Sequence, residues 1–182
     1  EAQLVGFTTP ENGQSSRISQ TADYLYITED ENGRKTIHVA DYKNVGDGQA
    51  KVSNVLQVKD YSESLKLLQE DILASGATDA SAYLSGGYNS KLAEQWSLGL
   101  RDGIEKEMGR EGWKELTPES TAEEKEKYNA ELERRWADSR AKFTEIFEAL
   151  RDANTQFVGE LITYSANDVI RRFDVNLNNG GL

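Results

Sequence analysis

Residues 23–28 and 35–42 alternate between apolar and polar side chains, and both runs are rich in β-branched and aromatic residues. Such alternation is typical of strands that bury one face. Asn32-Gly33 lies between the two runs and is the strongest short-range signal for a tight reversal of the chain. The pattern therefore predicts an antiparallel β-hairpin.

From residue 55 onwards the apolar residues recur every three or four positions, which is the spacing of one helix face. The expected helices cover residues 55–74, 90–108 and 122–165. A capping box over residues 121–124 opens the last one, and Asn154-Thr155 marks a place where it would kink or split. Because no heptad pattern is sustained, we expect a helical hairpin packed on the preceding helix and not a long coiled coil.

Residues 80–85 are predicted to form a third strand, parallel to the second strand of the hairpin and reached through a helical crossover. The Asn/Gly-rich tail, residues 173–182, is expected to be loose. The fold class is α/β (α+β): a small mixed sheet with an N-terminal β-hairpin and a crossover helix, elaborated by a long C-terminal helical hairpin. We expect residues 1–89 to form the α/β core and residues 90–182 the helical elaboration, together as one domain.

Composition limits the chemistry that the chain can perform. Lys and Arg number 21 against 32 Asp and Glu, and the resulting net charge of −11 argues against a broad basic surface for nucleic acid, although residues 17–60 are nearly balanced. The absence of cysteine excludes disulfides, thiolate metal sites and cysteine nucleophiles. His38 is the only histidine, which excludes multi-histidine zinc sites, and alternation places it on the strand face opposite Asp41. No apolar run is long enough to span a membrane.

Two acids and a lysine are expected to meet at the open end of the hairpin. In a reversal centred on the Asn-Gly pair, Asp23 lies opposite Asp41 or Tyr42, and Lys43 shares the face of Asp41. Neighbouring carboxylates repel each other unless a cation lies between them, and oxygen ligands suit Mg²⁺ or Mn²⁺. Such a metal activates water and neutralises charge on a phosphodiester, while Lys43 would orient the nucleophile or stabilise the transition state. The alternative is a surface hairpin whose strand ends carry solvated charges.

The order Asp23, hairpin, Asp41-Tyr42-Lys43 resembles the PD-(D/E)XK nuclease superfamily, whose signature is an acid on one strand and acid-x-lysine on the next. The approach over residues 16–23 is similar to that of its bacterial polymorphic-toxin branch, with alanine where a proline often precedes the first acid. The resemblance covers residues 11–86. It implies a metal held by Asp23, Asp41 and the backbone carbonyl of Tyr42, with Gln57 as an accessory catalytic residue on the following helix.

The resemblance implies a Mg²⁺- or Mn²⁺-dependent endonuclease acting on nucleic acid, with DNA favoured over RNA. It further implies the toxin domain of a bacterial effector, delivered from its producer into the cytoplasm of a target cell and neutralised in the producer by a cognate immunity protein. Two other hypotheses stay open. One is a non-enzymatic helical interaction or assembly protein, which the net charge of −11 and the helical second half favour. The other is an inactive nuclease fold used for binding.

Overall fold

The computed structural model describes residues 2–4, 8–10, 18–21, 24–46, 52–165 and 170–175. Within these ranges the strands are β1 (Ala2–Leu4), β2 (Thr8–Pro10), β3 (Ile18–Thr21), β4 (Tyr24–Glu29), β5 (Lys35–Gly46), β6 (Gln156–Ser165) and β7 (Ile170–Val175). The helices in the same ranges are α1 (Val52–Ser75), α2 (Ala80–Leu84), α3 (Lys91–Arg110) and α4 (Ala122–Leu150).

Five of the strands form one mixed sheet in the order β1-β4-β5-β6-β7, and β2 pairs with β3 separately. β5 is central, antiparallel to β4 and parallel to β6, while β7 runs antiparallel to β6 at one edge. The chain passes from β5 to its parallel neighbour through all four helices. The predicted α+β fold with a mixed sheet and a helical crossover is confirmed.

The predicted hairpin is β4 and β5. Their register pairs Tyr24 with Ala40, which is one of the two registers that the turn signal allowed. Gly33 has a φ of +78°, a conformation that glycine adopts without a steric penalty. The carboxylate of Asp30 accepts a hydrogen bond from the backbone N–H of Arg34 at 2.9 Å, which closes the turn. Local turn chemistry therefore fixes which residues of the two strands lie opposite each other.

The predicted third strand at residues 80–85 is wrong, because this segment forms α2. Asp79 caps the helix by accepting a hydrogen bond from the N–H of Ala82 at 2.6 Å. A short apolar run does not distinguish a strand from a buried helix turn, and here the capping aspartate favours the helix. The parallel neighbour of β5 is β6 instead.

The predicted long helix over residues 122–165 is correct only as far as Leu150, and its last part is β6. Phe157 and Leu161 are four residues apart, and that spacing places two side chains on one face of a strand as well as of a helix. Gly159 between them disfavours a helix, and the flanking β-branched and aromatic residues favour a strand. The expectation of a loose tail is also wrong for residues 173–175, which belong to β7.

Helices α1 and α4 pack against one face of the sheet. The main core there is built of buried apolar side chains from the hairpin, the later strands and the two helices, among them Leu25, Ile37, Val39, Leu65, Phe147 and Leu161. A second apolar cluster lies between α3 and α4 and contains Ile104, Met108, Tyr128 and Leu132. Residues 1–89 and 90–182 therefore contribute to one sheet and one core. None of the helices in the described ranges is long and apolar enough to cross a membrane.

Candidate functional site

Asp41 and Lys43 lie on one face of the central strand β5, just beyond Ala40, the last residue in its described pairing with β4, while its pairing with β6 continues to Gly46. Asp41 is only 4% exposed, and its Oδ2 atom lies 3.0 Å from Nζ of Lys43. In β6 the partner of Asp41 is Leu161 and the partner of Lys43 is Thr163, and both partners are buried. The predicted acid-x-lysine pair therefore exists as an ion pair at the end of an apolar stripe.

The burial of Asp41 has a physical cost that its partner offsets. A carboxylate removed from water is unfavourable unless a cation or hydrogen-bond donors compensate it. The ammonium group of Lys43 supplies that compensation, and its side chain is still 31% exposed. The pair thus connects a buried anion to the surface of the protein.

The other predicted site residues fall partly outside the described residues. Asp23 is one of them, and the register of β4 with β5 reaches Tyr24 and Ala40, one position before the predicted pairing of Asp23 with Asp41. Gln57 lies on α1, but its side chain is not among those described. Their roles remain predictions.

The backbone carbonyl of Tyr42 belongs to β5, whose partner here is Ile162 of β6. Among the side chains that the structure describes, no cluster of three or more His, Asp or Glu could hold a metal ion. The described part of the site offers the carboxylate of Asp41 as a metal ligand, which suits Mg²⁺ or Mn²⁺ only when further oxygens complete the coordination. The predicted metal site therefore depends on Asp23.

A second polar cluster lies on the opposite face of the sheet, where alternation placed His38. Its ring stacks on Tyr26 with centroids 4.2 Å apart and an angle of 4° between the planes. Nε2 of His38 is 2.7 Å from Oγ1 of Thr28, and Nδ1 is 3.5 Å from Oε1 of Glu160. The hydroxyl of Tyr26 donates to the same carboxylate at 3.3 Å. These contacts join β4, β5 and β6 side by side.

This cluster was not found from the sequence, because Glu160 was assigned to a helix and its strand partner was unknown. Glu160 is buried, the Tyr26 hydroxyl donates to it, and the His38 ring, stacked on Tyr26, lies beside it. Buried polar groups that are hydrogen-bonded fix neighbouring elements in one register. We interpret the cluster as a set of contacts that holds β4, β5 and β6 in register, and with them Asp41 on β5.

A third polar cluster joins α1 to α2 and to the N-terminus of α3. Asp71 on α1 accepts hydrogen bonds from the hydroxyls of Tyr83 at 2.5 Å and Ser90 at 2.6 Å. Ser90 is also the N-cap of α3, where its oxygen accepts from the N–H of Ala93. Burial, with the Asp71 hydrogen bond as the next cause, raises the pKa of Tyr83 above its usual range, so the hydroxyl stays a donor. The cluster positions α2 and α3 and contains no residue of β5.

No protein-family model, no curated protein and no solved structure matches the chain.

Proposed function

We propose that the chain is a Mg²⁺- or Mn²⁺-dependent endonuclease that hydrolyses phosphodiester bonds of nucleic acid. The observation that carries this proposal is the buried carboxylate of Asp41, held 3.0 Å from the Lys43 ammonium group on the central strand. An isolated hairpin with solvated ends would expose both charges. Here Asp41 continues an apolar stripe, where burying a charge costs free energy that a role in binding or catalysis would explain.

Each residue has a defined part in the proposed reaction. Asp41 would hold the metal together with Asp23 and the backbone carbonyl of Tyr42. The metal, when bound, lowers the pKa of a water molecule and neutralises charge that develops on the phosphate. Lys43 carries three N–H donors on a flexible stem, so it can hold the attacking water and donate to a phosphate oxygen. Gln57 would assist from α1.

The competing hypothesis of a helical assembly protein receives less support from the packing. The apolar side chains of α3 and α4 that the sequence offered for assembly are buried against each other, as Met108, Tyr128 and Leu132 show. We therefore favour the nuclease and extend it, on the resemblance alone, to a bacterial effector toxin with a cognate immunity protein. DNA is the favoured substrate on the same ground.

The test is cleavage of supercoiled plasmid DNA and of RNA in Mg²⁺ or Mn²⁺, with EDTA as the negative control. We expect Asp41→Asn to abolish cleavage, since loss of the carboxylate removes a metal ligand. Asp102→Asn is the matched control, because Asp102 forms an ion pair of the same length, 3.0 Å, with Lys106 on the surface of α3. Circular dichroism and urea midpoints verify that both variants fold.

Two results would overturn the proposal. Folded wild-type protein that leaves DNA and RNA intact in either metal is not a nuclease, and retained nucleic-acid binding would then favour the inactive nuclease fold. Full cleavage by Asp41→Asn would place the chemistry elsewhere in the chain.

A further inference from the structure

The edge strand β7 extends the face that carries Asp41. In the sheet register Asp41 pairs with Leu161 on β6, and Leu161 pairs with Phe173 on β7. Residues paired in this way project from the same face of a sheet. Asp41, Leu161 and Phe173 therefore form a row across three strands, and an aromatic ring lies at its outer end.

The next row along the same face carries two cations. Lys43 pairs with Thr163, and Thr163 pairs with Arg171. Neighbouring strands are about 4.8 Å apart, so Lys43 and Arg171 stand about 10 Å from each other across the buried threonine. That separation is close to the Debye length of about 8 to 10 Å at ordinary ionic strength, so both charges act on one polyanion.

The exposure of β7 shows which end of it is open. Val175 is buried in the main core, Phe173 is 42% exposed, and Arg171 is exposed. β7 runs antiparallel to β6, so its first residues lie beside the last part of the pairing between β5 and β6. β7 is therefore covered at Val175 and exposed towards its first residues, while Thr163, between Lys43 and Arg171, is buried.

We infer that Phe173 and Arg171 form a binding track for single-stranded nucleic acid that leads to Asp41 and Lys43. This inference rests on the proposed nuclease function and names the class of its substrate. An arginine that contacts phosphate beside an aromatic ring that stacks a base is the combination that binds single strands without a sequence requirement. A duplex keeps its bases stacked inside, so the exposed ring of Phe173 would have nothing to stack against.

Binding is measured by fluorescence anisotropy with fluorescein-labelled oligo(dT), in EDTA so that no cleavage occurs. Loss of one base stack in Phe173→Ala raises Kd at least about fivefold, with an unchanged salt dependence. Loss of one phosphate contact in Arg171→Ala lowers the slope of log K against log salt by about 0.7. Phe173→Tyr and Arg171→Lys are expected to restore the stack and the slope, respectively. Arg101→Ala, an exposed arginine on α3, serves as the control.

The outcomes separate the track from the nuclease. Cleavage in Mg²⁺ with oligo(dT) binding unchanged in Phe173→Ala and Arg171→Ala overturns the track and leaves the nuclease in place. Oligo(dT) binding that depends on both residues, without cleavage in any metal, overturns the nuclease and leaves the track. Equal effects of Phe173→Ala on oligo(dT) and on a labelled duplex overturn the assignment of a single-stranded substrate.

Discussion

The substitution Lys43→Met tests the energetic meaning of the buried pair. Methionine keeps most of the apolar stem and removes the ammonium group, so the carboxylate of Asp41 loses the cation 3.0 Å away. Removing one partner of a fully buried pair destabilises a protein by about 3–5 kcal/mol. The Asp41 side chain is 6% exposed but that of Lys43 is 31% exposed, so water screens part of the attraction. We therefore expect a loss of about 2–3 kcal/mol in the free energy of unfolding.

The pair between Asp102 and Lys106 provides the comparison. Its charged atoms are also 3.0 Å apart, but the side chains are 46% and 59% exposed on one helix. Exposed helix pairs of this spacing contribute about 0.3–0.5 kcal/mol, so Lys106→Met should have almost no effect. The two pairs have the same distance between their charged atoms and differ in burial, above all in that of the carboxylate.

Urea unfolding followed by circular dichroism and tryptophan fluorescence gives both free energies, provided that the m value is unchanged. The double variant Asp41→Asn/Lys43→Met completes a cycle and should recover part of the loss, because no charge then stays buried. Equal losses in Lys43→Met and Lys106→Met would show that burial of Asp41 does not control the energetics of the site, and the reasoning behind the proposed function would lose its main support.

Two further predictions concern metal and pH. Mn²⁺ at a hundredfold excess over its Kd should stabilise the wild-type protein by about 2.7 kcal/mol in a urea titration and leave Asp41→Asn unchanged; equal stabilisation of both proteins would place any metal elsewhere. Hydrogen bonds from Arg134 and then Arg135 lower the pKa of Glu131 from 4.5 to about 2. Because the folded state holds this carboxylate ionised, its stabilising contribution is complete above pH 4.5 and is lost as the pH falls towards 2. We plot the urea midpoint against pH for the wild-type protein and for Glu131→Gln, and expect the midpoint of the variant to fall less steeply below pH 4.5. Two parallel curves would contradict the lowered pKa of Glu131.

The parts of the fold that sequence reasoning predicts correctly are those with local signals. Asn32-Gly33 fixes the hairpin, and the capping box at the start of α4 is present as predicted. Asp41 and Lys43 are two positions apart on one strand, so their shared face follows from the strand assignment alone. These features need no knowledge of distant residues.

The missed features depend on pairing over long distances along the chain. Asp41 meets Leu161 only because β6 returns beside β5 after four helices, and no local pattern encodes that partnership. The spacing of four between Phe157 and Leu161 is compatible with helix and strand, so the helix predicted from this spacing was wrong there. Glu160, Thr163 and Arg171 were consequently not recognised as neighbours of the site, since each is placed by β6 or β7.

The parallel contact between β5 and β6 also sets when the site can come into being during synthesis. The hairpin with Asp41 and Lys43 leaves the ribosome before β6, the strand that supplies their inner neighbours, which follows only after α4. Closing so large a loop makes this contact a late event in folding as well. A nascent chain or a fragment ending at Leu150 would carry Asp41 and Lys43 without β6 beside them, so the proposed activity would have to wait until β6 has joined the sheet.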